Sequence, residues 1–173
     1  MTIVMAVLNN RPHLAINSAG MKHEVVTDWA GGMRFDAHVN GHTITMDAPE
    51  RAGGRNEGPI PKPLMLTALA GCTGMDVIAL LRKKDLQLDR LEIRIEAELS
   101  KGAPMVYTAA HVIYDVSADE TVRIELIQAV DRSQDELCGA SAMMKKAMEV
   151  TWAVQLNGAV IFSNRGMVHG SVR

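Results

Sequence analysis

A chain of 173 residues is long enough for one domain, or one domain with a small extension, and such a length buries roughly 70% of the surface its unfolded form exposes. Its 18 Lys and Arg against 20 Asp and Glu leave a formal net charge of −2, which gives no basic footprint for nucleic acid. Aromatics make up only 3% of the residues while 12 are methionine, so Val, Ile, Leu, Ala and adaptable thioethers are expected to fill the core.

The opening stretch, MTIVMAVLNNRPH, has no basic leader and no small-residue cleavage site, and the expectation is a cytoplasmic protein. Two β-prone runs at 3–8 and 13–17, separated by NNRP, predict an N-terminal arm or hairpin over residues 1–22. HEVVTDWAG and MRFDAHV then run up to Asn40-Gly41, the dipeptide suited to a type I′ turn, and HTITMD returns from it. Three antiparallel strands are predicted there. Residues 48–62, rich in Gly, Pro and charge, form a surface loop too long to be a mere connection.

Pro63 suits the first turn of a helix that runs to Leu81, apolar on all faces except for Thr67, Thr73 and Asp76, and expected to lie inside the protein. Its length would reach across a bilayer, but Asp76, two glycines and the lack of a second span argue against a membrane. LEIRIEAEL, residues 91–99, alternates apolar and charged positions as a half-buried strand does, and pairs most simply with VYTAAHVIYDVS as a hairpin. Ser117-Ala-Asp-Glu120 and Ser133-Gln-Asp-Glu136 both match the capping box, which predicts helices reaching Val130 and Glu149. TWAVQLNGAVIFSN closes the chain with a second Asn-Gly turn. The order of elements predicts an α+β protein.

Two cysteines carry the most reactive chemistry. In a reducing compartment they are either core residues or a redox pair, and with no Cys or His neighbours in sequence they make a poor zinc site. Cys72 sits mid-helix, beyond much help from the helix dipole, with Asp76 one turn on along the same face. Cys138 follows the predicted cap at Ser133, where free amides favour a thiolate and the charges of Asp135 and Glu136 oppose it. Each cysteine has a glycine beside it, Gly71 and Gly139, so a helix crossing at those glycines would bring the sulfurs within disulfide range. A pair of this kind supports thiol peroxidase chemistry, which also needs a cation to hold the thiolate and a carboxylate to hold the cation. Arg34, at a strand edge, and Arg51, Arg55 and Glu57, in the long loop, are the candidates, though the solvated surface is where charged residues of this kind normally go. Without a GxGxxG or GxxxxGK[ST] pattern, no cofactor is expected.

The segments GPIPKPLMLTALAGCTGMDVIALLRKK, LEIRIEAEL and AVDRSQDELCGASAMMKKAMEV resemble the OsmC/Ohr family over about residues 23–158, with the cysteines 66 positions apart. The resemblance implies a single α+β domain over 23–173 and an intertwined homodimer, in which antiparallel β-sheets wrap around two central cysteine-bearing helices. It implies reduction of organic hydroperoxides, with Cys72 peroxidatic and Cys138 resolving, recycled by a dithiol such as a lipoylated protein. It also implies an activating hairpin arginine, for which Arg34 lies nearest, and a glutamate in a Pro-Glu step opening the first cysteine helix. Here that stretch is Pro61-Lys62-Pro63, and Glu57 or Asp76 is left to replace the carboxylate.

Overall fold

A computed structural model describes residues 22–166 of the chain. The predicted hairpin of residues 3–17 lies outside the described residues. The chain divides at Pro59/Ile60 into two compact units.

The first unit is an antiparallel sheet of three strands in sequence order: β1 (Val26–Trp29), β2 (Phe35–Val39) and β3 (His42–Met46). Asn40 and Gly41, at φ 49° and 83°, make the predicted tight turn and set Val39 opposite His42. Only Ala37 among the apolar residues of this sheet is buried. Most of the order therefore comes from polar contacts. The buried carboxylate of Asp47 accepts the backbone N–H groups of Ala48 and Arg55 at 2.8 Å and of Glu57 at 3.2 Å, and folds the long loop back on the end of β3. Those bonds, led by Arg55 N–H, hold the Asp47 carboxyl below the ordinary range. The loop lies so close that a Cβ at Gly58 would stand 2.3 Å from the Thr45 carbonyl oxygen. A single 3₁₀ turn, Glu50–Ala52, completes it.

The second unit opens with α1 (Pro61–Arg82), which starts two residues ahead of the predicted Pro63. Leu69, Thr73, Gly74, Val77 and Leu81 form its buried stripe. The expectation of a helix wholly inside the protein is corrected here: Met75 is 74% and Met65 54% exposed, because the described residues cover only one face. By length and composition α1 passes for a membrane span, but it packs that stripe on a sheet and carries Asp76.

The sheet follows in the order β4 (Arg90–Leu99), β5 (Tyr107–Ser117), β6 (Glu149–Leu156) and β7 (Ala159–Ser163). β4–β5 and β6–β7 are antiparallel, as the hairpin signals predict, with Asn157-Gly158 at the second turn. β5 and β6 run parallel, so the sheet is mixed rather than purely antiparallel. A parallel pair needs a crossover, and residues 118–148 supply it with α2 (Arg123–Arg132) and α3 (Gly139–Met144). Ile93, Tyr114 and Val154 stand side by side on one face, with Ile95, Val112 and Trp152 in the next row. Leu126 and Val130 of α2 join Leu69, Val77 and Leu81 of α1 against them to form the core.

Both predicted capping boxes fail, each for a visible reason. Ser117 is consumed as the last residue of β5, and Asp119 caps instead by accepting Thr121 N–H at 2.9 Å. Ser133 does not start a helix, because the chain arrives there already helical from α2 and passes through one π turn, Ser133–Leu137. The cap of the next helix is Cys138 itself, in extended conformation, and β6 begins at Glu149 where the helix was expected to end.

Candidate functional site: a thiol pair over a buried polar network

The π turn places the second cysteine. Cys138 N–H bonds to the Ser133 carbonyl at 2.9 Å across the wider turn, the helix breaks, and the Cys138 side chain becomes the cap of α3 by accepting Ser141 N–H at 3.4 Å. Cys72, in mid-α1, lies beside Leu69 and Thr73 of the buried stripe but is itself only half-buried. The sulfurs of Cys72 and Cys138 and a carboxylate oxygen of Asp76 all lie within 4.8 Å of one another, and both thiols are free.

The meeting does not occur where the glycines suggest. A Cβ at Gly71 or Gly139 would find nothing within 4 Å, whereas one at Gly74 would stand 2.8 Å from Ile93 Cδ1. Close approach is thus between α1 and β4 at Gly74, and Gly71 opens onto the uncovered face of α1 beside Ala70, Met75 and Ile78. The carboxylates feared beside Cys138 turn away: Asp135 pairs with Lys145 at 2.7 Å and Glu136 with Arg132 at 3.3 Å.

Beneath the thiols runs a chain of buried hydrogen bonds. Ser133 Oγ lies 3.0 Å from Asp76 Oδ2 and 3.4 Å from the Thr73 carbonyl, so its single proton favours the carboxylate. Gln134 donates through Nε2 to Tyr114 Oη at 2.7 Å and accepts Ser141 Oγ at 2.6 Å through Oε1. Burial raises the Tyr114 phenol to about 12, partly offset by Thr73 and Gln134. Burial likewise pushes the Cys138 thiol up to about 11, the neighbouring Cys72 adds to this, and the Ser141 and Ala140 amides offset part of it. At neutral pH Cys138 is a protonated thiol.

Sequence reasoning places Cys72, Cys138 and Asp76 but misses Tyr114, Gln134 and Ser141. The signal for Tyr114 is a phenol at a core-facing position of an alternating strand, which demands a polar partner. For Gln134 and Ser141 the misplaced cap at Ser133 hides their burial.

Arg34 and Glu57 meet each other in the first unit. Arg34 Nη1 donates to Glu57 Oε2 at 2.7 Å, while its Nε and Nη2 grip both oxygens of Asp36 at 3.2 and 3.0 Å. Arg34 and then the Thr45 hydroxyl hold the Asp36 carboxyl below the ordinary range. The cation borders a cleft of about 190 Å³ with Gly31, Gly32 and Asp47. Arg51 is exposed, and Arg55 reaches Glu57 only at 3.9 Å with its side chain 86% exposed.

Lys62, where the resemblance implies a glutamate, donates from Nζ to the Met105 carbonyl at 2.7 Å. It borders an apolar cavity of about 480 Å³ walled by Met65, Met105, Met143, Met144 and Met148, with Ala140 two residues from Cys138.

A family model described as OsmC-like protein matches residues 54–153. Protein YhfA of Escherichia coli K12 is 26% identical over 132 residues, covering 76% of this chain and 96% of its own. An OsmC-like protein of Mycoplasma pneumoniae superposes with a TM-score of 0.66 at 16% identity, covering 78% of this chain and 96% of its own. An organic hydroperoxide resistance protein, OsmC, of Legionella pneumophila superposes with a TM-score of 0.57 at 15% identity, covering 80% and 99%.

Proposed function

The chain belongs to the OsmC-like family, and from that premise we propose that it is a thiol-dependent peroxidase that reduces organic hydroperoxides in defence against oxidative stress. The observation that carries the reading is two free thiols held within 4.8 Å over a satisfied polar network. Cys72, the more accessible sulfur, attacks a peroxide oxygen as the thiolate; the O–O bond breaks and the alkoxide leaves as the alcohol after taking a proton. The sulfenic acid left on Cys72 is attacked by the Cys138 sulfur, which forms the S–S bond and expels the hydroxyl as water. A dithiol, such as that of a lipoylated protein, then reduces the disulfide by exchange and is itself oxidised.

The reading assigns Arg34 the part of the cation that holds the thiolate and polarises the peroxide, and Glu57 the part of the carboxylate that fixes the arginine. Residues 23–173 act as one catalytic domain in a cytoplasmic homodimer, and no cofactor takes part. The dimer is supported by the uncovered face of α1, where Met75 and Gly71 border an open groove. Light scattering of wild-type protein and of Met75→Asp tests it: a dimer that Met75→Asp converts to monomer is expected, and a wild-type monomer overturns it.

Stopped-flow consumption of a bulky organic hydroperoxide tests the activity. Cys72→Ser is expected to abolish turnover and Cys138→Ser to keep one turnover per chain; wild-type rates from Cys72→Ser sink the proposal. The second reading is a non-catalytic dimer that binds an apolar ligand or senses redox state; its ligand-binding form is favoured by the methionine-walled cavity, whose volume suits a small ligand. Saturable binding of a fluorescent fatty acid by wild-type protein that consumes no hydroperoxide would select it.

A further inference from the structure

We infer that the reduced Cys72–Cys138 pair and Asp76 form a zinc-binding site of two thiolates and one carboxylate. The binding itself rests on the geometry of the second unit, and only its consequence for turnover rests on the peroxidase reading. Cys72 and Asp76 are four residues apart and share one face of α1, the spacing by which a helix presents two ligands to one ion. Cys138 faces them from the break between the π turn and α3, so two separate elements supply the donors. All three donor atoms lie within 4.8 Å of one another. Zinc with sulfur at about 2.3 Å and oxygen at about 2.0–2.2 Å holds its donors about 3.5–3.8 Å apart, so the side chains need close by no more than about 1 Å.

The surroundings fit a divalent ion. Ser133 Oγ donates to Asp76 Oδ2 at 3.0 Å and presents the carboxylate in one orientation, the part that an outer partner plays at metal centres. Among the described residues of the second unit Asp76 enters no ion pair, and the residues Asp135 and Glu136 are neutralised elsewhere. Thiolates select zinc over the hard cations magnesium and calcium. Cys72 and Asp76 are half-buried, which leaves an approach for the ion and a fourth position for water. In binding, two S–H bonds break and two S–Zn bonds form; the protons go to solvent and no electron moves. Zinc then ties up both sulfurs, so metal and hydroperoxide compete for the same pair.

Titration of the reduced full chain with cobalt(II), a spectroscopic probe for tetrahedral zinc sites, tests the inference. Saturation near one ion per chain is expected, with a near-ultraviolet thiolate-to-cobalt band and visible d–d bands. Cys72→Ser and Cys138→Ser are expected to lose thiolate intensity, and Asp76→Asn to weaken binding by at least about tenfold. A readout without substitution guards against misfolded variants: zinc should slow alkylation of both wild-type thiols, and a chelator should restore it. Absence of a thiolate band in wild-type protein with excess cobalt overturns the site, as does unchanged affinity in Asp76→Asn. Hydroperoxide turnover by chelator-treated protein separates the two proposals: activity without a cobalt band removes the metal site alone, and a band without activity removes the peroxidase alone.

Discussion

Arg34 and Glu57 hold each other where water reaches both, whereas Cys72 and Cys138 meet above a network in which Tyr114, Gln134 and Ser141 are buried. The first unit has one buried apolar strand residue and is ordered by carboxylates on amides and guanidinium; the second has a core of leucines and valines from two helices and a sheet. The contrast sets what each unit can contribute. An exposed ion pair adds little to stability but keeps a charge in place, while a buried hydrogen-bond chain fixes geometry at a cost if any member is lost.

The comparison breaks most sharply by core deletion. Leu126, fully buried, contacts the core, and Leu126→Ala is expected to cost about 2–5 kcal/mol. Ile44, 41% exposed on β3, is expected to lose under about 0.5 kcal/mol as Ala. Urea unfolding of both variants measures the difference, and equal losses would mean that the first unit has a core of its own.

Arg34→Met reverses the order of effects. The ion pair is exposed, so the unfolding midpoint should stay near the wild-type value. If the guanidinium stabilises charge at the thiolate, hydroperoxide turnover falls by about 100-fold. Glu57→Gln should follow in the same direction more weakly, since Asp36 still grips the arginine. A turnover rate untouched by Arg34→Met would remove the cation from the mechanism.

Tyr114→Phe sharpens the contrast from the other side. It removes the oxygen that accepts Gln134 Nε2–H and that Thr73 also meets, and the stranded amide is expected to cost about 1–3 kcal/mol. Unfolding detects the loss, and turnover should change less than in Arg34→Met.

These residues also mark where the sequence is legible. The alternation of residues 91–99, both Asn-Gly turns and the long apolar helix announce their elements because each depends on neighbours a few positions away. Lys62 finds its partner at Met105, 43 residues on, which no local pattern displays. Ser133 satisfies every letter of a capping box, yet α2 reaches it already helical, and tertiary packing decides that the cap is Cys138. The glycines beside the cysteines are a true signal of close approach only at Gly74, where β4 comes near; at Gly71 no described residue would meet a Cβ within 4 Å.

The mildest test leaves the protein untouched at neutral pH. The Cys138 thiol titrates at about 11 in the folded chain against about 8.5 in the unfolded one. Between those values the folded state keeps a proton that the unfolded state has released, so stability falls as pH rises. The contribution is fully present below about pH 8.5 and is lost on passing through about 11. Tyr114, raised to about 12 from about 10, adds a loss of the same sign beginning higher. Thermal midpoints of wild-type protein should therefore decline from about pH 8.5 upward, and Cys138→Ala should flatten the lower part of that decline while leaving the Tyr114 part. A decline unchanged in Cys138→Ala would mean that this sulfur titrates near its ordinary value and that the network beneath it does not exclude water.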